Sequence, residues 1–224
     1  IPAPLAATVV VSTLLPGAAQ TATLLSVLEG DVIEVEINGV RERVRSLGID
    51  APDAGEAGFA TARAAASSLL QGKPLLLLAE QSDRDSAGRL LRHVYVEDKS
   101  VANFFNGGYA GIDVNAQLVA NGWALPQPIS PDISKAFDLA RWGLDAARGG
   151  RGFWTAANAP GDAANFGLAR AGVVFFSGPG ADTAADSYAP LDTPLHVVGR
   201  SQDGGWVQVR SPRRDTGWVY TPQL

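Results

Sequence analysis

From Gly30 to Asp53 the chain reads GDVIEVEINGVRERVRSLGIDAPD, and this stretch decides the fold. Its first part alternates apolar and acidic residues, which predicts a strand with one buried face. Asn38-Gly39 follows, a dipeptide typical of the two-residue turn of a β-hairpin. An arginine-rich strand is predicted after the turn, and it leads into the charged segment from Arg45 to Asp53.

The register of this hairpin separates its three arginines. With a two-residue turn, Arg41 and Arg43 lie opposite glutamates, and cross-strand pairs of opposite charge are sufficient to explain both. Arg45 lies opposite Val32, has Asp31 on its diagonal, and is left without an ordinary partner. We therefore expect a functional role for Arg45, with a surface or ion-pair role as the alternative.

Composition limits the classes of function. The chain has 224 residues and a formal net charge of −5, so one large or two small domains are expected and any contact with nucleic acid has to be local. The absence of cysteine excludes disulfides and thiolate metal sites. His93 and His196 each lie in an apolar, strand-like run, and we expect both to be structural.

The N-terminal segment carries no charge. Residues 5–15 are apolar and residues 16–20 are small or polar, which is typical of the end of an export signal. The apolar run is short for a membrane span, which needs about 20 residues. We expect an exported protein (periplasmic, extracellular or lumenal), with residues 5–19 as a possible membrane anchor. A surface strand or a linker is the other alternative for residues 1–20.

Strands and helices alternate over the next part of the chain. Apolar periodicity predicts strands over 74–79 and 90–97, and helices over 56–71, after Asp113 and from Ser130-Pro131 onward. The last helix is predicted to bury Ile133, Phe137, Ala140, Leu144 and Ala147. This order around one core predicts an α+β fold with a small barrel. Residues 99–112 form an insertion without an assigned role.

The C-terminal part has a different pattern. Residues 156–165 are rich in Ala, Gly, Pro, Asn and Asp, and we place a linker at 156–168. Short strand patterns with Gly-rich turns follow, which predicts a small all-β barrel over 169–224. The predicted domains are therefore 21–155 and 169–224.

Carboxylates are gathered at the predicted strand ends. Asp31 and Asp50 offer the oxygen ligands that calcium prefers. Pro52 favours an extended conformation for Ala51, which lets the Ala51 carbonyl project. Asp53 begins a loop, where a carboxylate could orient or deprotonate a water molecule.

Arginines complete this charged group. Arg89, in the turn 85–89, and Arg45 could clamp phosphate oxygens and offset the charge that develops on them. Together with the carboxylates they form the set that metal-assisted phosphodiester hydrolysis requires. Considered separately, the Asp50–Asp53 segment and the turn 85–89 each have a sequence that is common in ordinary turns.

Five motifs fall within residues 21–155: Thr23–Asp31, Val44–Pro52, Gly88-Arg89, Asp113–Gly122 and Gly152-Phe153-Trp154. Together they resemble the staphylococcal nuclease (thermonuclease) family. The resemblance implies a five-stranded OB-fold barrel with flanking helices and calcium-dependent hydrolysis of DNA or RNA. It implies that calcium is bound by Asp31, Asp50 and the Ala51 carbonyl. Arg45 and Arg89 would then contact the scissile phosphate.

Several positions depart from the family pattern. The catalytic glutamate is Asp53 here, Glu29 replaces an aspartate, and Val32 replaces a threonine. The lysine and tyrosine expected before Gly88 are missing at 86–87, and a tyrosine expected near 126–128 is also missing. These departures favour an alternative function: a non-catalytic binding or assembly subunit that retains the nuclease-like fold.

The C-terminal segments Ser177-Gly178-Pro179, Gly205–Val209 and Thr216–Val219 resemble a bacterial SH3-like domain. The resemblance implies targeting to a cell-wall or protein ligand. Trp206, Trp218 and Tyr220 could bind such a ligand or could equally be packed in the core and its rim.

Overall fold

The structure is a computed structural model, and it describes 19–97, 111–127, 129–154, 166–169, 173–183, 185–189, 194–210 and 216–224. The N-terminal residues 1–18 lie outside the described residues. So do most of the insertion predicted at 99–112 and most of the linker predicted at 156–168.

The central hairpin has the predicted register. Strand β1 is Ala19–Val27, β2 is Val32–Ile37 and β3 is Val40–Ser46. Asn38 and Gly39 both have positive φ, 51° and 80°, as a two-residue hairpin turn of the primed type requires. The observed pairs are Ile37–Val40, Glu36–Arg41, Val35–Glu42, Glu34–Arg43, Ile33–Val44 and Val32–Arg45.

The remaining elements of the N-terminal part follow in chain order. They are β4 (Ile49–Asp50), α1 (Phe59–Leu70), β5 (Leu75–Leu78), β6 (Leu90–Glu97), β7 (Gly111–Asp113), α2 (Val114–Ala120), β8 (Leu125–Pro126), α3 (Ala136–Arg148) and a 3-10 turn at Gly152–Trp154.

Five strands close a barrel. The sheet order is β3-β2-β1-β5-β6-β7, and an additional parallel pairing of β3 with β6 joins the first and fifth strands of this order, which leaves β7 outside the closed barrel. Together with the three helices this is the predicted α+β fold with an OB-like barrel. Alternating residues such as Val35, Val44 and Val94 point inward and are almost fully buried.

Helix α3 differs from the prediction. It begins at Ala136 rather than at Ser130-Pro131, and two residues predicted to be buried are exposed: Ile133 at 51% and Phe137 at 79%. The buried face consists of Leu139, Ala140, Trp142, Gly143, Ala146 and Ala147. The predicted apolar face was therefore wrong at its N-terminal end.

Long-range polar contacts explain this difference. Asp132 is buried, and its Oδ1 accepts hydrogen bonds from the backbone N–H groups of Gln81 (2.7 Å) and Ser82 (2.9 Å). Lys135 is buried against Asp113 and the hydroxyl of Tyr95. Since these polar side chains are turned inward, the apolar side chains between and beside them face solvent.

The C-terminal part forms a separate all-β sheet. Its strands are β9 (Phe166–Leu168), β10 (Val173–Phe176), β11 (Ala185–Ala189), β12 (Pro194–Arg200), β13 (Trp206–Arg210) and β14 (Thr216–Tyr220). The order is β11-β10-β14-β13-β12-β9. Because β9 pairs with β12, the interval 166–168 is a strand and not part of the predicted linker. The sheet buries a small core around Phe175, Leu195 and Val209.

Within the described residues, no helix is long and apolar enough to cross a membrane.

We expect Asp132→Ala to lower the free energy of unfolding by about 1–3 kcal/mol, because it leaves two backbone N–H groups without their acceptor. Denaturant unfolding monitored by circular dichroism measures the loss. Glu36→Ala is the matched control, since Glu36 is exposed and should change stability by no more than about 0.5 kcal/mol. Equal effects of the two substitutions would contradict an anchoring role for Asp132.

Candidate active site

Asp31 is positioned by close packing of the turn between β1 and β2. A Cβ atom on Gly30 would lie 2.6 Å from the Cβ of Ala51 and 3.0 Å from the Cβ of Ala62. Only glycine therefore fits this turn against the end of β4 and against α1 without displacement. The packing leaves the side chain of Asp31 only 2% exposed.

Arg45 joins the two predicted metal-binding carboxylates. Its Nη1 donates to Asp31 Oδ2 and to the carbonyl of Ile49 (2.9 Å), and its Nη2 donates to Asp50 Oδ1 (3.1 Å). Asp31 Oδ2 also accepts a hydrogen bond of 2.7 Å from the backbone N–H of Ala51. The structure thus brings Arg45, Asp31, Asp50 and Ala51 together. The expectation that Arg45 lacks an ordinary partner was wrong, because both carboxylates are its partners.

Asp31 is held in an environment that disfavours its charge. Burial raises its pKa to about 6, against the lowering influence of Arg45 and the Ala51 N–H. The nearby carboxylates of Asp50 and Glu29 raise the pKa further. Among the described residues, nothing donates a hydrogen bond to the buried Asp31 Oδ1. A buried oxygen without a partner is costly, and such groups concentrate at functional sites.

Asp53 lies on the exposed turn that follows the site. Strand β4 is held by β8, with Asp50 opposite Leu125, and the chain then leaves the sheet through Ala51 and Pro52. The backbone N–H of Asp53 donates to Glu56 Oε2 at 2.8 Å. The backbone N–H of Glu56 donates to the carbonyl of Asp53 at 2.9 Å.

Arg89 directly precedes the strand that pairs with the strand of Arg45. Leu91 pairs with Arg45 in the parallel ladder between β3 and β6, and Arg89 precedes Leu91 by two residues. Arg89 itself belongs to the turn 85–89, immediately before β6 begins at Leu90. The Nε of Arg89 donates to Asp85 Oδ2 at 2.7 Å, while its side chain remains 32% exposed. This pairing was not predicted from the sequence, although the spacing of four residues across a Gly-containing turn could have indicated it.

The residues present are consistent with a hard cation. Of the described residues, no group of three or more His, Cys, Asp or Glu side chains is placed to hold a metal ion. The donor set is therefore smaller: two carboxylates, from Asp31 and Asp50, and the carbonyl of Ala51. All are oxygen ligands of the kind that calcium takes, and the unpartnered Asp31 Oδ1 fits a bound cation.

His93 has the structural role that was predicted for it. It is buried on β6, and its Nε2 lies 3.1 Å from Glu80 Oε2. Hydrogen bonding with His93 and with the N–H of Ser134 outweighs burial and leaves the pKa of Glu80 lowered. The side chain of His196 lies outside the described residues.

The C-terminal sheet carries aromatic rings on the face opposite its core. Val207 and Val219 point into the core, whereas Trp206 and Tyr220 alternate with them and point outward. The ring of Trp206 meets Phe176 edge-on at 5.5 Å between centroids and Tyr220 at 5.7 Å. The rings therefore pack on one another at the surface rather than in the core.

Two family models match the chain. Residues 43–156 match the model described as staphylococcal nuclease homologue, which is just over half of the chain. Residues 169–224 match the model described as bacterial SH3 domain. No curated protein matches the chain.

We expect Asp31→Asn to stabilise the metal-free protein near pH 8 by about 1–2 kcal/mol. The folded-state pKa of Asp31, about 6, lies above the ordinary value, so its stabilising contribution is complete at low pH and is lost as pH rises through 6. An amide avoids that loss because it carries no charge. Thermal unfolding in EGTA at pH 4 and pH 8 measures the effect.

Asp85→Asn is the control, because we expect it to change stability at pH 8 in the opposite direction. Burial pushes the pKa of Asp85 up, but hydrogen bonds from Arg89 outweigh it and leave the pKa lowered. This carboxylate therefore stabilises the fold above its ordinary pKa, and its amide should destabilise the protein at pH 8. If Asp31→Asn were destabilised at pH 8, the ion pair between Arg45 and the Asp31 carboxylate would stabilise the fold by more than burial of that charge destabilises it.

Proposed function

Because this chain belongs to the staphylococcal nuclease homologue family, we propose that its N-terminal domain is a calcium-dependent phosphodiesterase that hydrolyses DNA or RNA. The observation that carries the proposal is the buried Asp31 carboxylate beside Asp50, joined to it by the guanidinium of Arg45. This arrangement combines a cation site with an anion-binding group at one end of the barrel.

The proposed mechanism assigns a role to each residue of the site. Asp31, Asp50 and the Ala51 carbonyl would hold calcium, which supplies Lewis-acid assistance to attack on the phosphate. Arg45, on β3, and Arg89, immediately before the paired strand β6, bind phosphate oxygens and offset the charge that develops on them. The exposed turn at Asp53 places a carboxylate where a solvent water molecule can reach it.

The acidic character of the chain is compatible with this proposal only if contacts are local. A net charge of −5 gives no general attraction to the phosphate backbone, so Arg45 and Arg89 would supply most of the attraction. The alternative is a non-catalytic binding or assembly subunit. The aspartate at 53 and the residues missing at 86–87 favour that alternative, because they weaken the reacting centre and the grip on substrate.

The C-terminal domain is proposed to direct the enzyme to a cell-wall or protein ligand. The outward-facing aromatic cluster of Phe176, Trp206 and Tyr220 supports binding there, because flat rings at a surface offer a large apolar contact area at low entropic cost. An exported location, suggested by the uncharged segment at 1–20, would bring the domain to such ligands.

We expect cleavage of single-stranded DNA in calcium and none in EGTA. Arg45→Ala and Arg89→Ala should each lower kcat/KM by about a hundredfold or more, because each removes a group that stabilises charge in the transition state. A gel or fluorescence assay on a labelled oligonucleotide measures the rates.

Arg41→Ala is the matched control, since Arg41 is an exposed arginine of the same strand, paired with Glu34. It should leave the rate unchanged within about twofold. Isothermal titration must also show calcium binding to wild type that Asp31→Ala abolishes. Calcium binding without any cleavage would favour the non-catalytic alternative.

We expect Trp206→Ala to weaken retention on an insoluble cell-wall preparation at least tenfold while leaving DNA cleavage unchanged. The reason is that Trp206 contacts both other rings of the aromatic cluster. Co-sedimentation measures retention. Val198→Ala, an exposed apolar residue on β12, is the control. Unchanged retention of the Trp206 variant would mean that the aromatic cluster has only a packing role and does not bind the ligand.

A further inference from the structure

Three large apolar side chains lie exposed on the segment that leads into α3. Ile129 is 64% exposed, Ile133 51% and Phe137 79%, and within the described part of the chain no other large apolar side chain is as exposed as Phe137 or Ile129. The three lie within nine consecutive residues, and we call them the apolar patch. Single apolar residues are normal on a protein surface, whereas a cluster of large ones marks a site of contact with a protein or a membrane.

The segment that carries the apolar patch exposes no charge. Asp132 and Lys135 are its charged residues between positions 129 and 137, and both are buried. Apart from the patch itself, the exposed residues of this segment are two serines and a proline, at 130, 131 and 134. Since no ionised group has to leave water, this surface can enter an apolar phase at low cost.

The uncharged N-terminal segment enters the fold at the end of the sheet where β5 stops. Ala19, the first described residue, pairs with Leu78 in the antiparallel ladder between β1 and β5. In an antiparallel pair, the chain before one residue and the chain after its partner meet the sheet at the same end. Strand β1 is therefore entered from the end at which residues 79–82 leave β5.

The chain that leaves β5 is bound directly to the chain that carries the apolar patch. The Nε2 of Gln81 donates to the carbonyl of Pro131 at 3.0 Å, and the backbone N–H of Ser134 donates to Glu80 Oε1 at 2.8 Å. Paired Cα atoms of a ladder are about 5 Å apart and three residues span at most about 11 Å, so Ala19 lies within about 16 Å of Gln81. The apolar patch and the point where the N-terminal segment enters therefore lie near each other.

We propose that the apolar patch is a membrane contact, which inserts shallowly into a neutral phospholipid bilayer beside the N-terminal segment. The apolar run at 5–15, which carries no charge, would enter the same bilayer. Apolar side chains at such an interface are buried about 5–10 Å deep, at the boundary of headgroups and acyl chains. The exposed carboxylate of Asp138, next to Phe137, limits the depth and disfavours anionic lipid. This inference does not depend on the proposed nuclease activity.

Flotation of the full chain with phosphatidylcholine vesicles tests the apolar patch. We expect the double variant Ile133→Ser with Phe137→Ser to lower the partition coefficient by about tenfold or more, because two contacts on one chain reinforce each other. Val40→Ser, at the exposed end of the β2–β3 hairpin, is the matched control and should change the coefficient by less than about twofold. Melting temperatures should stay unchanged, since all three side chains are exposed.

A single fluorescent label locates the contact. The chain has no cysteine, so Ser130→Cys provides one labelling site beside the apolar patch, and Ser68→Cys, exposed on α1, provides one outside it. We expect the emission of an environment-sensitive dye at 130 to shift to the blue when vesicles are added. The emission of the same dye at 68 should not change.

Three results would overturn the membrane contact. A double variant that partitions as the wild type does would show that the N-terminal segment alone holds the chain on the bilayer. A dye at 130 whose emission is already blue-shifted without vesicles would show that the protein itself covers the apolar patch. A dye at 130 that does not respond to vesicles would show that the patch meets a partner other than a neutral bilayer.

Discussion

The guanidinium of Arg45 is the group on which the rest of the site depends. Asp31 lies in the turn before β2 and Asp50 ends β4, and bringing the two carboxylates together in a largely buried position would be strongly unfavourable without a cation between them. Arg45 donates to both and to the carbonyl of Ile49, so a single side chain joins the start of β2, the strand β3 and the strand β4. Those three segments form the wall of the site.

The barrel supplies what this interaction needs. The hairpin register puts Arg45 beside the turn that contains Asp31, and the close approach of Gly30 to Ala51 brings the end of β4 against it. The parallel pairing of β3 with β6 then places Arg89, the residue before Leu90, next to the ladder in which Arg45 pairs with Leu91. The Gly30 turn, the hairpin register and the closure of the barrel together position one group of charged side chains. This group includes two arginines, although the chain as a whole is acidic.

The sequence predicted most of what is local and little of what is long-range. The register from Val32 to Arg45 follows from the Asn38-Gly39 turn and the alternation of side chains, and it was correct. The start of α3 was wrong, because Asp132 binds backbone N–H groups 50 and 51 residues away, and periodicity carries no information about such contacts. Strands β9 and β11 were missed because Phe166–Leu168 and Ala185–Ala189 are short and lack clear apolar alternation. The gathering of Asp31, Asp50 and Arg45 was expected, but the contact between Arg45 and Asp50 depends on the path of β4.

The burial of Asp31 and its unpartnered oxygen bear on whether the site binds a cation. A barrel selected only for its shape would be more stable with a neutral residue at this position, since burial opposes the charge and one buried oxygen has no hydrogen-bond partner among the described residues. Arg45 offsets part of that cost through Oδ2 alone. A cation at Oδ1 would offset the remainder and would also lower the pKa of the carboxyl group. The buried, unpartnered oxygen of Asp31 therefore supports the proposed cation site over the alternative of a fold that has kept only its architecture.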